Sequence, residues 1–381
     1  MDFYWSEDQL ALKREAVSFA QRELNDDIAK HDRENRFSRK NWDKCARFGI
    51  LGLCIPKEYG GQGQDVLTTI LVMEGLGYGC EDNGLTSALS GQMWGVQEPI
   101  LTFGTEAQKQ KYLPGLCHGQ LLGAHGMTEA DSGSDAFSLQ TRAEKTEGGY
   151  ILNGAKVMIS LAPVCDVALV FATTDPSLGQ WGISTFLVEK GTAGFQVSKG
   201  WEKMGLRTVP IGELSLEDCF IPAENRLGPE GAGVSIFTGA MEWERSFNFA
   251  GHVGAMARQL EKAVTYAKER SQSAQSSEKL ESISNRIADM KLRLETSRLH
   301  TYQAAWLKEL GKPASMQAAM TKLHVSEAYV RSSLDAIGIF EDTGYLTETE
   351  IERDLRDATG GVLYTGSSDI QRVVIARLLG L

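Results

Sequence analysis

Val167-Ala168-Leu169-Val170-Phe171-Ala172 and Ile183-Ser184-Thr185-Phe186-Leu187-Val188 lie near the middle of a 381-residue chain. Both runs are short, rich in β-branched and aromatic residues, and bounded by turn formers, which is the pattern of buried strands. Upstream, Tyr150-Ile151-Leu152 leads into Asn153-Gly154, a dipeptide that favours a hairpin turn. Downstream come Leu214-Ser215-Leu216 and Cys219-Phe220-Ile221-Pro222. Strand-like runs at this spacing predict a small antiparallel, barrel-like β-domain over residues 123–230.

Helical spacing holds on both sides, so the fold class reads α+β, with helical domains at 1–122 and 231–381. Ser6-Glu7-Asp8-Gln9 is a capping box, and Leu10, Val17, Ala20, Leu24 and Ile28 behind it form one apolar stripe. Pro56-Lys57-Glu58-Tyr59-Gly60-Gly61-Gln62-Gly63 marks a turn. Helical patterning then runs from about residue 66 to 118, with Pro99 and Pro114 expected as stops. Gly228-Pro229-Glu230-Gly231-Ala232-Gly233 reads as a hinge loop. Beyond it, Phe249, Val253, Met256, Leu260 and Val264 make one stripe, and Ile283, Ile287, Met290 and Leu294 another. Ser271-Gln272-Ser273-Ala274-Gln275-Ser276-Ser277 separates them as a polar linker.

Composition is that of a globular chain, 42% apolar and 23% charged. Its formal net charge of −11 argues against nucleic acid as a partner. No apolar run reaches the ~18 residues that span a bilayer, so no membrane association is expected. Met1-Asp2-Phe3-Tyr4-Trp5-Ser6-Glu7 lacks the basic and apolar parts of a signal peptide, and the six cysteines are scattered. Both features predict a cytoplasmic protein with free thiols. The six histidines are dispersed, so no metal site is expected. The dinucleotide, P-loop, zinc-protease and nucleophile-elbow motifs are all missing.

Three segments carry more. They are Met127-Thr128-Glu129-Ala130-Asp131-Ser132-Gly133-Ser134-Asp135, then Lys203-Met204-Gly205-Leu206-Arg207-Thr208 with Leu216-Glu217-Asp218-Cys219-Phe220-Ile221-Pro222, and last Leu355-Arg356-Asp357 with Leu363-Tyr364-Thr365-Gly366-Ser367-Ser368-Asp369-Ile370-Gln371-Arg372. In this order the set resembles the acyl-CoA dehydrogenase family over essentially the whole chain. The resemblance implies a helical domain, a β-domain and a four-helix bundle, with FAD between them and a homotetramer sharing the cofactor site.

It also implies roles. Met127 and Thr128 would touch the flavin, and Gly133 and Ser134 would let backbone amides reach its pyrophosphate. Met158-Ile159-Ser160 stands where the family usually has Trp-Ile-Thr, so Met158 would pack on the ring and Ser160 would keep the hydroxyl. Arg270 matches an arginine that reaches the cofactor of a neighbouring subunit. There the family continues with Phe-Gly, and this chain has Ser273-Ala274. Gly338-Ile339-Phe340-Glu341-Asp342-Thr343-Gly344 likewise replaces a glycine-rich stretch, and its two acids are expected to repel a phosphate. Ser367 and Asp369 would lie near the flavin.

Removing a proton next to a thioester carbonyl needs a base. Most of the family carries a Glu after the C-terminal Tyr, and here that position is Thr365. Isovaleryl-type members instead place a Glu before an Arg on a bundle helix, matching Trp243-Glu244-Arg245. On one helical wheel Glu244 shares a face with Asn248, Gly251 and Ala255, which leaves room for a ligand, while Glu242 points elsewhere. The resemblance thus makes Glu244 the base, with Trp243, Arg245, Asn248, Tyr364, Thr365 and Gly366 about the substrate. Glu-Trp-Glu-Arg before Phe-Asn-Phe-Ala, with Thr-Gly-Ser-Ser-Asp in the last loop, is most similar to prolyl-carrier-protein oxidases of natural-product biosynthesis, the anatoxin-, prodigiosin- and pyoluteorin-type pathways. That branch oxidises L-proline held as a thioester on an acyl or peptidyl carrier protein, at CH–CH or CH–NH groups, to a pyrroline or pyrrole. Two alternatives stand beside it: a dehydrogenase of branched- or short-chain acyl-CoA, and an inactive binding member of the family.

Overall fold

The computed structural model describes residues 4–271 and 277–381. Most of the polar linker, with Ser273-Ala274, lies outside the described residues, as does Met1-Asp2-Phe3.

Helices come first: α1 (Glu7–Glu23), α2 (Ile28–Arg33), α3 (Arg39–Phe48), α4 (Val66–Gly79), α5 (Asn83–Gln92), α6 (Glu98–Phe103) and α7 (Glu106–Cys117). The expected capping box opens α1. Ser6 Oγ accepts from Gln9 N at 3.2 Å, and Gln9 Oε1 accepts from Ser6 N at 3.0 Å. Asp65 and Asp82 cap α4 and α5 in the same way. A π-helical turn, Met93–Gln97, joins α5 to α6. The two prolines stop neither helix. Pro99 opens α6 directly after the π-helical turn, and the helical backbone runs on through it. Pro114 lies in the last turn of α7, so few hydrogen bonds are left beyond it to lose.

Eight strands follow among the described residues: β1 (Gly123–Gly126), β2 (Arg142–Thr146), β3 (Gly149–Ser160), β4 (Val167–Thr173), β5 (Ile183–Glu189), β6 (Phe195–Val197), β7 (Ile211–Pro222) and β8 (Arg226–Leu227). They form one sheet in the order β6-β7-β3-β2-β4-β5-β8, with β1 on β4. Pairing is mainly antiparallel, with parallel contacts of β4 to β1 and β2. The crossover a parallel pair requires is supplied by the long chain between β1 and β4. Asn153-Gly154 does not turn the chain. It sits within β3 at a bulge, where the register slips between Leu152 and Gly154. Gly154 has φ +148°, and a Cβ there would strike Thr141. The hairpin turn falls earlier, around Gly148 at φ +77°. β4 is buried along its whole length, as its sequence predicts. Val167, Leu169 and Phe171 face a core shared with α7 and Ile236, while Ala168, Val170 and Ala172 face Tyr150 and Phe186.

The C-terminal half holds α8 (Gly233–Phe247), α9 (Ala250–Ser271), α10 (Ser277–Glu309), α11 (Ser315–Phe340), α12 (Ile351–Gly361) and α13 (Ser368–Leu378). The first predicted stripe packs through Phe249, Val253 and Met256 against Leu294, Val325 and Tyr329. The second packs through Ile283 and Met290 against Ala263, Ala336 and Ile339. Between α8 and α9 the helix breaks at 248–249, so a single wheel does not run through Glu244, Gly251 and Ala255. Gly251 lies at a close helix crossing. A Cβ on Gly77 of α4 would overlap the Gly251 carbonyl oxygen, and one on Gly254 would overlap that of Glu74.

Parts of the second and third motifs join the domains. Asp357 Oδ1 accepts from Leu206 N at 2.6 Å, and Asp357 Oδ2 from Asn83 Nδ2 at 2.9 Å. Arg356 pairs with Asp32 at 2.9 Å. Arg207 Nε donates to the Asp32 carbonyl at 2.8 Å, and Thr208 Oγ1 to Asp82 at 2.5 Å. One helix, α12, is thereby tied to both the β-domain and the N-terminal helices.

Candidate active site

Glu244 lies in the last turn of α8 and is buried. Four elements meet at its carboxylate. Oε1 lies 3.6 Å from His125 Nδ1 on β1. Oε2 accepts from Thr365 Oγ1 and from Asn248 Nδ2, each at 3.4 Å. Gly95 of the π-helical turn closes the remaining side, since a Cβ there would overlap Oε1. Burial is the main cause of a rise in the Glu244 pKa to about 7; the Thr365 hydroxyl and the Arg245 charge oppose it. A carboxyl poised near neutrality suits a general base. His125 is pushed the other way, to about 4, by burial and by the Lys156 charge, so its ring is neutral.

Thr365 can stand opposite Glu244 because its loop is bent. Thr365 and Gly366 have φ of +55° and +81°. Gln371 Nε2 holds the bend by donating to both carbonyls, at 3.2 and 2.9 Å. Ser367 Oγ caps α13 by accepting from Ile370 N. Tyr364 stacks on Phe249 with ring centres 5.6 Å apart. Arg245 is half-buried, and its Nε has no hydrogen-bond partner among the described residues. Trp243 turns away from this cluster; it stacks on Trp94 at 5.5 Å, with Lys308 Nζ over its ring.

The residues expected at a flavin line β1, the loop after it and β3. Met127 is buried, and its carbonyl accepts from Lys156 Nζ at 3.2 Å. The Thr128 carbonyl accepts from Val157 N at 2.9 Å. Lys156 is wholly buried and pairs with Glu129 at 2.7 Å. Glu129 also accepts from the amides of Gln140 and Thr141, which fixes the loop bearing Gly133 and Ser134. Both of those residues are exposed, with open space at the Gly133 Cα. Met158 sits at a second bulge of β3 with φ +59° and is 58% exposed, and Ser160 is exposed at the strand end. An exposed thioether beside accessible hydroxyls and an uncrowded glycine loop suits a flat apolar ring with a phosphate tail. Ser368 Oγ is buried without a hydrogen-bond partner among the described residues.

The rest lie apart. Arg270 pairs with Glu341 of its own chain at 2.6 Å, so that acid is neutralised rather than turned on an approaching phosphate. Asp369 is exposed and pairs with Arg372 at 3.2 Å. Sequence reading missed Gly95, His125, Glu129 and Lys156. A lone Gly in a helical pattern and a His in a strand carry no spacing signal, and Lys156 reads as an ordinary polar strand residue.

The models of the acyl-CoA dehydrogenase N-terminal, middle and C-terminal domains match residues 6–120, 124–219 and 231–380. An L-prolyl-[peptidyl-carrier protein] dehydrogenase of Pseudomonas fluorescens is 39% identical over 383 residues, with 100% of each chain covered. The crystal structure of the prolyl acyl carrier protein oxidase AnaB is 47% identical with a TM-score of 0.97, covering 99% of this chain and 100% of that one. A structure of PigA with FAD and proline is 39% identical with a TM-score of 0.95, covering 100% of both. Three domain models matched in order, and relatives similar along their full length, establish that the chain belongs to the acyl-CoA dehydrogenase family.

Proposed function

We propose that this chain oxidises an L-prolyl thioester on an acyl or peptidyl carrier protein to a pyrroline- or pyrrole-carboxyl thioester, with FAD as cofactor, in natural-product biosynthesis. The observation that carries the reading is the buried Glu244 carboxylate facing Thr365, where most of the family has its glutamate. A hydroxyl is too weakly basic to take an α-proton, whereas Glu244 is poised to do so. Its likeness to full-length prolyl-carrier dehydrogenases supports the substrate class.

FAD, when bound, supplies the acceptor for the hydride that leaves the substrate. Met127, Thr128, Met158 and Ser160 bind its ring. Gly133 and Ser134 bind its pyrophosphate, Ser367 and Asp369 lie toward its ring from the loop into α13, and Arg270 reaches the cofactor of a neighbouring subunit. Glu244 Oε removes the proton from the carbon beside the thioester carbonyl. Thr365 and Asn248 hold that carboxylate in place, Tyr364, Gly366 and Arg245 shape the substrate side, and Trp243, turned away from it, braces the helix end through its stack on Trp94. The chain divides functionally at 1–122, 123–230 and 231–381. It works as a homotetramer in the reducing cytoplasm, where its six free cysteines stay thiols.

Mass spectrometry of prolyl-loaded carrier protein after incubation tests the reading. Loss of two or four hydrogens supports it. An unchanged prolyl thioester, alongside turnover of a free acyl-CoA, would refute it.

A further inference from the structure

Glu244 is seated from two sides, and each seat is built differently. Oε2 meets two hydrogen-bond donors, Thr365 and Asn248. Oε1 meets no donor at short range; it lies between a glycine and an imidazole. Both of these are held rigidly. Gly95 sits in the π-helical turn Met93–Gln97, where the extra residue per turn displaces the backbone. The residue before it, Trp94, stacks on Trp243, the residue before Glu244, with the rings 7° from parallel. That stack pins the register of Gly95 against Glu244. The His125 ring lies parallel to Phe237 and edge-on to Phe171, so the direction of Nδ1 is fixed. Its Nε2 is buried without a partner among the described residues.

We infer that Gly95 and His125 are positioning residues that aim the Glu244 carboxylate, one by absence of a side chain and the other by a single N–H. The inference rests on Glu244 acting as the base. A Cβ at residue 95 would overlap Oε1 and lie 3.5 Å from Cδ, so the group that must move is the flexible carboxylate rather than backbone. An alanine there displaces the base without breaking the fold. His125 with its proton on Nδ1 points a donor at Oε1. The 3.6 Å separation is just beyond a hydrogen bond, and a small shift of either group would close it. Such a donor favours the ionised carboxylate. The other groups facing Glu244 are Arg245 on its own helix, Tyr364 and Thr365 from the loop after α12, and Asn248. Burial, and after it the Lys156 charge, acts on the imidazole and favours its neutral form.

The test compares Gly95→Ala, His125→Phe and Glu244→Gln, each alone and with the first two also in the Glu244→Gln background. His125→Phe keeps a ring between Phe171 and Phe237. Turnover of prolyl-loaded carrier protein, flavin content and the pH dependence of kcat are measured on the holoenzyme. Each single variant should keep its flavin and its KM within about threefold, and lose about tenfold or more in kcat. In His125→Phe the acid limb of kcat should move to higher pH. In the Glu244→Gln background neither change should lower the residual rate further. Wild-type kcat in both single variants, loss of flavin in both, or an additive loss in the Gln background would each overturn the inference. Full activity of Glu244→Gln would instead refute the base assignment itself.

Discussion

Glu244 is a carboxyl whose ionised form is disfavoured by burial, and this gives two expectations of opposite sign. Activity needs the ionised form, so kcat should fall as pH drops through about 7. Stability goes the other way. A carboxyl with a folded-state pKa raised above its unfolded value takes up a proton on folding. Its contribution is full below the unfolded value near 4.5 and is lost as pH rises through about 7. Glu244→Gln removes that penalty, so the variant should melt above the wild type at pH 8 while losing about 10²–10⁴-fold in turnover. A lower melting temperature at pH 8 would mean that the carboxylate is well solvated or paired. Glu242 is the contrast. Its carboxylate pairs with Lys308 at 2.5 Å and also accepts from Ser315, on α10 and α11. Glu242→Gln should lower the denaturation midpoint modestly and leave kcat alone. Glu244 as a candidate was legible in the sequence through Trp243-Glu244-Arg245 and the missing loop Glu, and the structure buries its carboxyl opposite Thr365. Gly95 and His125 were not, because they reach Glu244 only through contacts separated by more than a hundred residues in sequence.

At the scale of elements, periodicity predicted what packs and failed where local chemistry is overruled. β4 and both bundle stripes bury the residues their spacing marks. Asn153-Gly154 failed as a turn because β3 runs through it against β7 and absorbs the glycine in a bulge. The wheel through Glu244 failed because α8 ends before α9 begins, and the small residues of α9 serve its close crossing with α4. The loop bearing Gly133 and Ser134 depends on Glu129, held against buried Lys156. Burial is the main force on Lys156, lowering its pKa to about 8 even with Glu129 beside it. Glu129→Ala strands that cation, two backbone amides and the Thr141 hydroxyl. It should cost about 3–5 kcal/mol and reduce flavin content, read by urea unfolding and by absorbance. Flavin retained at full stability would show that the loop is fixed by other contacts.

At the scale of the molecule, the ordered motifs revealed the three-domain plan, and part of their content proves to be architectural. Asp357, Arg356, Arg207 and Thr208 bind one domain to another and stand outside the Glu244 cluster. Asp357 is buried, which raises its carboxyl to about 6, and it takes hydrogen bonds from two domains. Asp357→Ala should therefore destabilise the whole chain by about 2–4 kcal/mol, since Leu206 N and Asn83 lose their acceptor. Separate melting of the helical and β-domains in the wild type would contradict this coupling. The assembly is a further expectation. Light scattering of the flavin-loaded protein should give about four times the 41.7 kDa chain mass, and a fully flavinated monomer would contradict a shared cofactor site.

The central claim is that this chain takes the α-proton of a carrier-bound proline with Glu244. It is tested most directly by loading the carrier with proline deuterated at the α-carbon and weighing the thioester after incubation. Wild-type enzyme should yield a product lighter by that deuterium and by one further hydrogen for a pyrroline or three for a pyrrole, while Glu244→Gln, still yellow, should leave the thioester unchanged. A product that keeps the α-deuterium, or equal conversion by Glu244→Gln, would contradict the account.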